Sequence, residues 1–89
     1  MAPIRLTTKV RSTSEVLLKW THTVKSVTEI RVEMSTDGGE FLEVAVLRGN
    51  AKTTTLRRLA AKTNYAFRVH ALRSGALVGA SAVAEARTR

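Results

Sequence analysis

Residues Thr63 to Ala71, Thr-Asn-Tyr-Ala-Phe-Arg-Val-His-Ala, constrain the fold of this chain more than any other segment. Tyr65, Phe67, Val69 and Ala71 fall on one side of an extended backbone, and Asn64, Ala66, Arg68 and His70 on the other. Successive side chains of a strand point to opposite faces, so this alternation predicts a strand with one buried face. Upstream, Leu56-Arg-Arg-Leu59-Ala-Ala-Lys reads as a strand end followed by a short corner. A helix would need apolar residues three and four apart, and that period never outcompetes the alternation in this chain.

The same pattern places seven strands, at about residues 3–10, 14–21, 28–35, 40–47, 52–57, 63–73 and 80–88. Val16, Leu18 and Trp20 point inward on the second. Ile30, Val32 and Met34 do so on the third, with Glu29, Arg31 and Glu33 outward. Asp37-Gly38-Gly39 supplies the positive backbone angles of a tight hairpin. Arg48-Gly49-Asn50 is the next turn, and Arg73 to Gly79 is read as the loop joining the last two strands. With no linker or repeat, residues 1–89 read as a single domain.

Several of these residues together resemble the fibronectin type III domain, an immunoglobulin-like β-sandwich family. Leu59 lies six residues before Tyr65, and the spacing is similar to the family's tyrosine corner. Val16-Leu-Leu18-Lys-Trp20 looks like its second strand with the core tryptophan. Pro3 with Leu6, and Gly79-Ala-Ser81, look like the starts of its first and last strands. Ile30 stands where the family usually has tyrosine, and Ala61 where the corner often has proline. The resemblance implies an all-β, seven-stranded antiparallel β-sandwich. Its first, second and fifth strands form one sheet and the other four form the second. Trp20, Leu59, Tyr65, Phe67 and Val69 are its signature residues.

The chain has no cysteine, so a disulfide or thiolate metal site is excluded. Its two histidines, His22 and His70, have no serine or acid placed by motif to complete a triad. The carboxylates near the Asp37 hairpin lack the contrasting environments that acid–base chemistry needs. Turn chemistry accounts for Asp37 without a calcium ion. These readings exclude an enzyme and predict no metal and no cofactor. No segment approaches the roughly 18 apolar residues of a membrane span, and the first residues have no apolar signal-peptide core.

Net charge is +8. Residues 1–47 balance six cations against six carboxylates, whereas residues 48–89 carry nine cations against Glu85 alone. The excess in the second half predicts an acidic partner surface, with Arg57, Arg58 and Arg73 as its contacts, beside the alternative of a merely solvated basic face. The aromatics are 4% of residues and fall at core or semi-core positions, which argues against base stacking and specific nucleic-acid recognition. Two loop tips, one with Val24 and one with Leu77 and Val78, form an alternative apolar docking patch. Residues Ser81 to Arg87 make a flat strand suited to self-association at a sheet edge.

Function is read as non-enzymatic binding or structure in one of two contexts. In the first, the chain is a virion protein that decorates a phage capsid or tail and docks on a larger assembly. In the second, it is a spacer or adhesion module of an extracellular bacterial protein such as a polysaccharide-degrading enzyme.

Overall fold

Alternation becomes geometry in the computed structural model, which describes residues 2–89. Its strands are β1 (Ala2–Val10), β2 (Val16–Thr21), β3 (Glu29–Thr36), β4 (Leu42–Arg48), β5 (Thr53–Leu56), β6 (Asn64–Arg73), β7 (Ala76–Ser81) and β8 (Ala84–Arg87). Strands β1, β2 and β5 form one antiparallel sheet. In the other, β4 pairs with β3, β3 with β6, and β6 with both β7 and β8. This is the sheet division expected from the sequence.

Two details depart from that expectation. The seventh strand is broken in two, with β7 facing the end of β6 and β8 facing its start. At the break the Val69 N–H donates to Ser81 Oγ at 2.8 Å, so a side chain replaces a ladder carbonyl. Strand β1 also serves both sheets. Ala2 to Ile4 lie parallel to Gly79–Ser81 of β7, and from Arg5 onward the strand pairs antiparallel with β2. The expected loop over 73–79 is instead a two-residue hairpin. Ser74 and Gly75 both have positive φ (48° and 85°), the geometry that matches the natural twist of paired strands. Asp37 and Gly38 (48° and 79°) do the same between β3 and β4, as expected.

The inward residues of both sheets meet in one core. Trp20, Phe67, Leu18, Ile30, Val16, Val32 and Val69 are its largest fully buried apolar side chains. The indole N–H of Trp20 donates to Ala51 O at 2.9 Å, which satisfies the one polar atom of that buried ring. Tyr65 packs its ring against Phe67, and its hydroxyl accepts the Ala60 N–H at 2.7 Å. The tyrosine corner is therefore formed, and half-buried Leu59 packs against the core beside it. Thr88 locks the same corner: its hydroxyl donates to Ala60 O at 2.6 Å and accepts the Thr63 N–H at 3.0 Å.

Candidate interaction surfaces

The outward residues of β1, β2 and β5 form the surface most distinct in charge. Cross-strand register aligns them in three rows: Arg5 with Thr21; Thr7 with Lys19 and Thr53; Lys9 with Leu17 and Thr55. The face carries three cations and four threonine hydroxyls, with no carboxylate inside the rows. Arg5 and Lys9 are about 13 Å apart along β1, and Lys19 lies between them one strand over, about 8 Å from each. Three positive charges held on a stiff sheet at that spacing have no anion among them to neutralise their field. Beyond the last row, Arg57 pairs with Glu15 at 3.4 Å.

The opposite sheet presents a different surface. Glu29 binds the Arg31 guanidinium at 2.5 Å, and Arg31 also lies 3.8 Å from Glu43. Glu33 is ion-paired with Arg68 across β3 and β6 and lies 4.0 Å from His70 Nδ1. The Arg68 guanidinium also stacks over Phe41, 4.1 Å from the ring centroid. Glu29, Glu33 and Glu43 thus stand against Arg31, Arg48 and Arg68. Glu33 and Glu43 face each other directly across β3 and β4, an apposition the two guanidiniums offset.

The three arginines singled out from the sequence do not converge. Arg57 and Arg58 sit at the corner after β5, which the Leu59 N–H ties to Ser14 O at 3.0 Å. Arg73 ends β6, and its guanidinium donates to Lys25 O. The ten residues of β6 span about 30 Å and keep these sites at opposite ends of the sandwich. Counting charge by halves of the chain misled because neither half is a face. The β1–β2–β5 face draws Arg5, Lys9 and Lys19 from the half that looked neutral. The signal was present in the sequence as cations at alternating outward positions of two predicted strands.

The apolar loop tips are also altered by packing. Val78 and Val27 are half-buried against the core, and Val24 covers Gly79, with its Cγ2 3.3 Å from where a Cβ would stand there. Leu77 stays 44% exposed, on β7 rather than in a loop. The expected edge at Ser81–Arg87 is corrected in part. Of that segment only Ser81 belongs to β7, which pairs with β6 and in part with β1, whereas β8 (Ala84–Arg87) pairs with β6 alone and stays an edge beside β4 and β5, the two ends of the sheet path. Among the described residues, no group of three or more His, Cys, Asp or Glu could hold a metal ion, and no helix is long and apolar enough to cross a membrane.

Two facing sheets, a buried tryptophan and a closed tyrosine corner define the immunoglobulin-like class of β-sandwich. The chain belongs to the fibronectin type III family, since the model of the fibronectin type III domain matches residues 2–87. A domain of this family is a binding or structural module. Among solved structures, the chicken CNTN1 FN1-FN3 domains superpose with a TM-score of 0.86 at 24% identity, over 98% of this chain and 30% of that one. The fn3 domain of human contactin 1 gives 0.85 at 25% identity, over 100% and 77%. Pectate lyase PelI from Erwinia chrysanthemi, solved in complex with tetragalacturonic acid, gives 0.84 at 21%, over 94% and 28%. This chain thus spans under a third of the CNTN1 and PelI chains. No curated protein matches it.

Proposed function

We propose that this domain is a non-enzymatic docking module that holds a larger assembly to a polyanionic surface through the outer face of β1, β2 and β5. The observation that carries the reading is the face itself: Arg5, Lys9 and Lys19 arrayed with threonines and without a carboxylate. Such a face binds by releasing counterions and needs no sequence readout or deep pocket. Arg57 and Arg58 extend it at one end. Arg73, Leu77, Val24 and Val78 belong to the other end, as a separate protein contact.

Two contexts use such a module. As a virion decoration protein it would dock on the acidic exterior of a capsid or tail. As a spacer or adhesion module it would hold a secreted bacterial enzyme near its polymer. The second is favoured by the likeness to part of the pectate lyase PelI chain, whose ligand is an acidic oligosaccharide. Mass spectrometry of the native polypeptide separates them. A 9.7 kDa species in purified particles supports decoration, and these peptides inside a much longer secreted chain support the spacer.

The face is tested by binding to polygalacturonate across a salt series. Arg5→Glu, Lys9→Glu and Lys19→Glu together should weaken binding at least about tenfold and flatten its salt dependence. Lys25→Glu, Lys62→Glu and Arg89→Glu change net charge equally at the two ends of the sandwich and should cost far less. Equal losses in both triple variants would mean that net charge alone drives binding, and would overturn the assignment.

A further inference from the structure

Strand β4 is a free edge of its sheet, with an open hydrogen-bonding side along Leu42–Arg48. Among the described residues, three of the five exposed large hydrophobics lie on this one strand: Leu42 at 60%, Val44 at 40% and Val46 at 51%. Open edges template the pairing of another strand, and proteins guard them with lysine, proline or inward charges. Strand β4 has no lysine, proline or inward charge, and its edge is guarded only by Glu43 and Arg48 near its ends and by a single bulge. At that bulge Val44 is skipped between the Glu33–Glu43 and Val32–Ala45 pairs. Ala45 to Arg48, past the bulge, remain regular.

We infer that β4 pairs antiparallel with β4 of a second copy of this chain, around a two-fold axis at Val46, to make one sheet continuous across both protomers. Charge selects this occupant. A molecule of net charge +8 repels its own copy over most of its surface. The sheet face next to β4 is the exception, with Glu29, Glu33 and Glu43 matched by Arg31, Arg48 and Arg68. Strand β4 is itself polar along its length, with Glu43 near its start and Arg48 at its end. Antiparallel apposition brings Glu43 of each copy toward Arg48 of the other, twice by symmetry. Of the other edges, β5 is four residues long and lies beside Lys19, Lys52 and Arg57, where two copies would repel, and β8 is also four residues long, with its Glu85 carbonyl taken by the Thr8 hydroxyl.

A perpendicular two-fold must be centred on a residue, because opposed residues then share a face, and Val46 is the exposed apolar residue of the regular stretch past the bulge. Centring there places Val46 against Val46, Ala45 against Leu47 and Val44 against Arg48. So short a pairing buries less than a standard interface, so the dimer is weak and forms with rising concentration. This surface lies on the other sheet from the β1–β2–β5 face, so each proposal can fail without the other.

The chain has no cysteine, so a cysteine introduced at one position can form a disulfide only with another copy. Opposed residues of an antiparallel pair have Cα atoms about 4.5–5.5 Å apart, within disulfide range. Val46→Cys should therefore oxidise to a covalent dimer at least about tenfold faster than Val83→Cys, which is equally exposed at 51% but lies between β7 and β8. Sedimentation of the unmodified chain should show mass rising from 9.7 kDa toward twice that value with concentration. Val46→Lys should hold it at the monomer mass. Glu43→Arg should weaken the dimer, and Glu43→Arg with Arg48→Glu should restore it. A monomer at millimolar concentration, or equal oxidation rates for the two cysteine variants, overturns the proposal.

Discussion

Tyr65 and His22 show how single polar atoms are handled in a core with little room for them. The Tyr65 hydroxyl accepts the Ala60 N–H at 2.7 Å and fixes the corner that follows β5. Tyr65→Phe keeps the ring and removes that acceptor. We expect a loss of about 1 kcal/mol, since a typical net hydrogen bond contributes 0.5–1.5 kcal/mol. For a domain of this size that lowers Tm by about 4–8 °C. Thermal unfolding checks it, and an unchanged Tm would show that water replaces the hydroxyl at no cost. At His22, Nδ1 accepts the Val24 N–H at 3.1 Å, so the neutral ring carries its proton on Nε2, which is buried without a partner. Burial, and then the charge of Lys52, lower the His22 pKa from its ordinary 6.5, against a smaller opposing effect of the Val24 contact. The unfolded chain therefore binds this proton more readily than the folded one. The contribution of neutral His22 to stability is whole above about pH 6.5 and declines as pH falls below it. Urea midpoints at pH 7.5 and pH 5 should differ less in His22→Asn than in the parent, because asparagine offers a similar acceptor and does not titrate. Equal differences would assign the pH dependence to other groups.

At the scale of strands, the sequence showed most of what burial dictates and little of what neighbours decide. Trp20, Phe67, Val69 and the Asp37–Gly38 turn were legible because period-two burial and positive φ are local constraints. The Ser74–Gly75 hairpin was missed for a physical reason. Gly75 and Gly79 together looked like one loop, yet only Gly75 has positive φ, while Gly79 lies under Val24 in a strand. Nor could the sequence mark β4 as an edge. Leu42, Val44 and Val46 alternate like one face of a strand, yet the bulge sets Leu42 opposite inward Met34 and Val46 opposite outward Arg31, and only pairing order leaves the strand without a second neighbour. The β1–β2–β5 face was hidden in the same way, since register alone brings Lys19 beside Thr7 and Thr53. Gly49 is legible as a turn but not in its contact. A Cβ there would stand 1.8 Å from the Val27 carbonyl oxygen, so the turn after β4 presses directly on the chain entering β3. Gly49→Ala should force those segments apart and destabilise the fold by about 1–3 kcal/mol, the usual cost of overpacking. Chemical denaturation measures this, and a loss below a few tenths of a kcal/mol would mean that the turn yields freely.

Across the whole molecule, charge and packing pull in opposite directions. Folding gathers a chain of net charge +8 into a body with a Cα radius of gyration of 12.6 Å, so cations that were far apart in the unfolded chain now repel at close range. The ion pairs Glu33–Arg68 and Arg31–Glu29 offset part of this on one sheet, but the β1–β2–β5 face has no such relief. Added salt weakens both effects, and the sign of the response shows which is larger. Partly exposed ion pairs contribute at most about 1 kcal/mol each and are few. The uncompensated repulsion runs between many charges within one or two Debye lengths, which are about 30 Å at 0.01 M and 8 Å at 0.15 M salt. Repulsion should dominate. Stability at dilute, monomeric concentration should rise by about 1 kcal/mol between those two salt concentrations, or about 4–8 °C in Tm. Replacing Arg5, Lys9 and Lys19 by glutamine should shrink that rise, because it removes the cluster with no anion of its own. If Tm instead fell with salt, the ion-paired sheet would be the electrostatic centre of the fold, and the basic face would carry no stored repulsion for a polyanion to relieve.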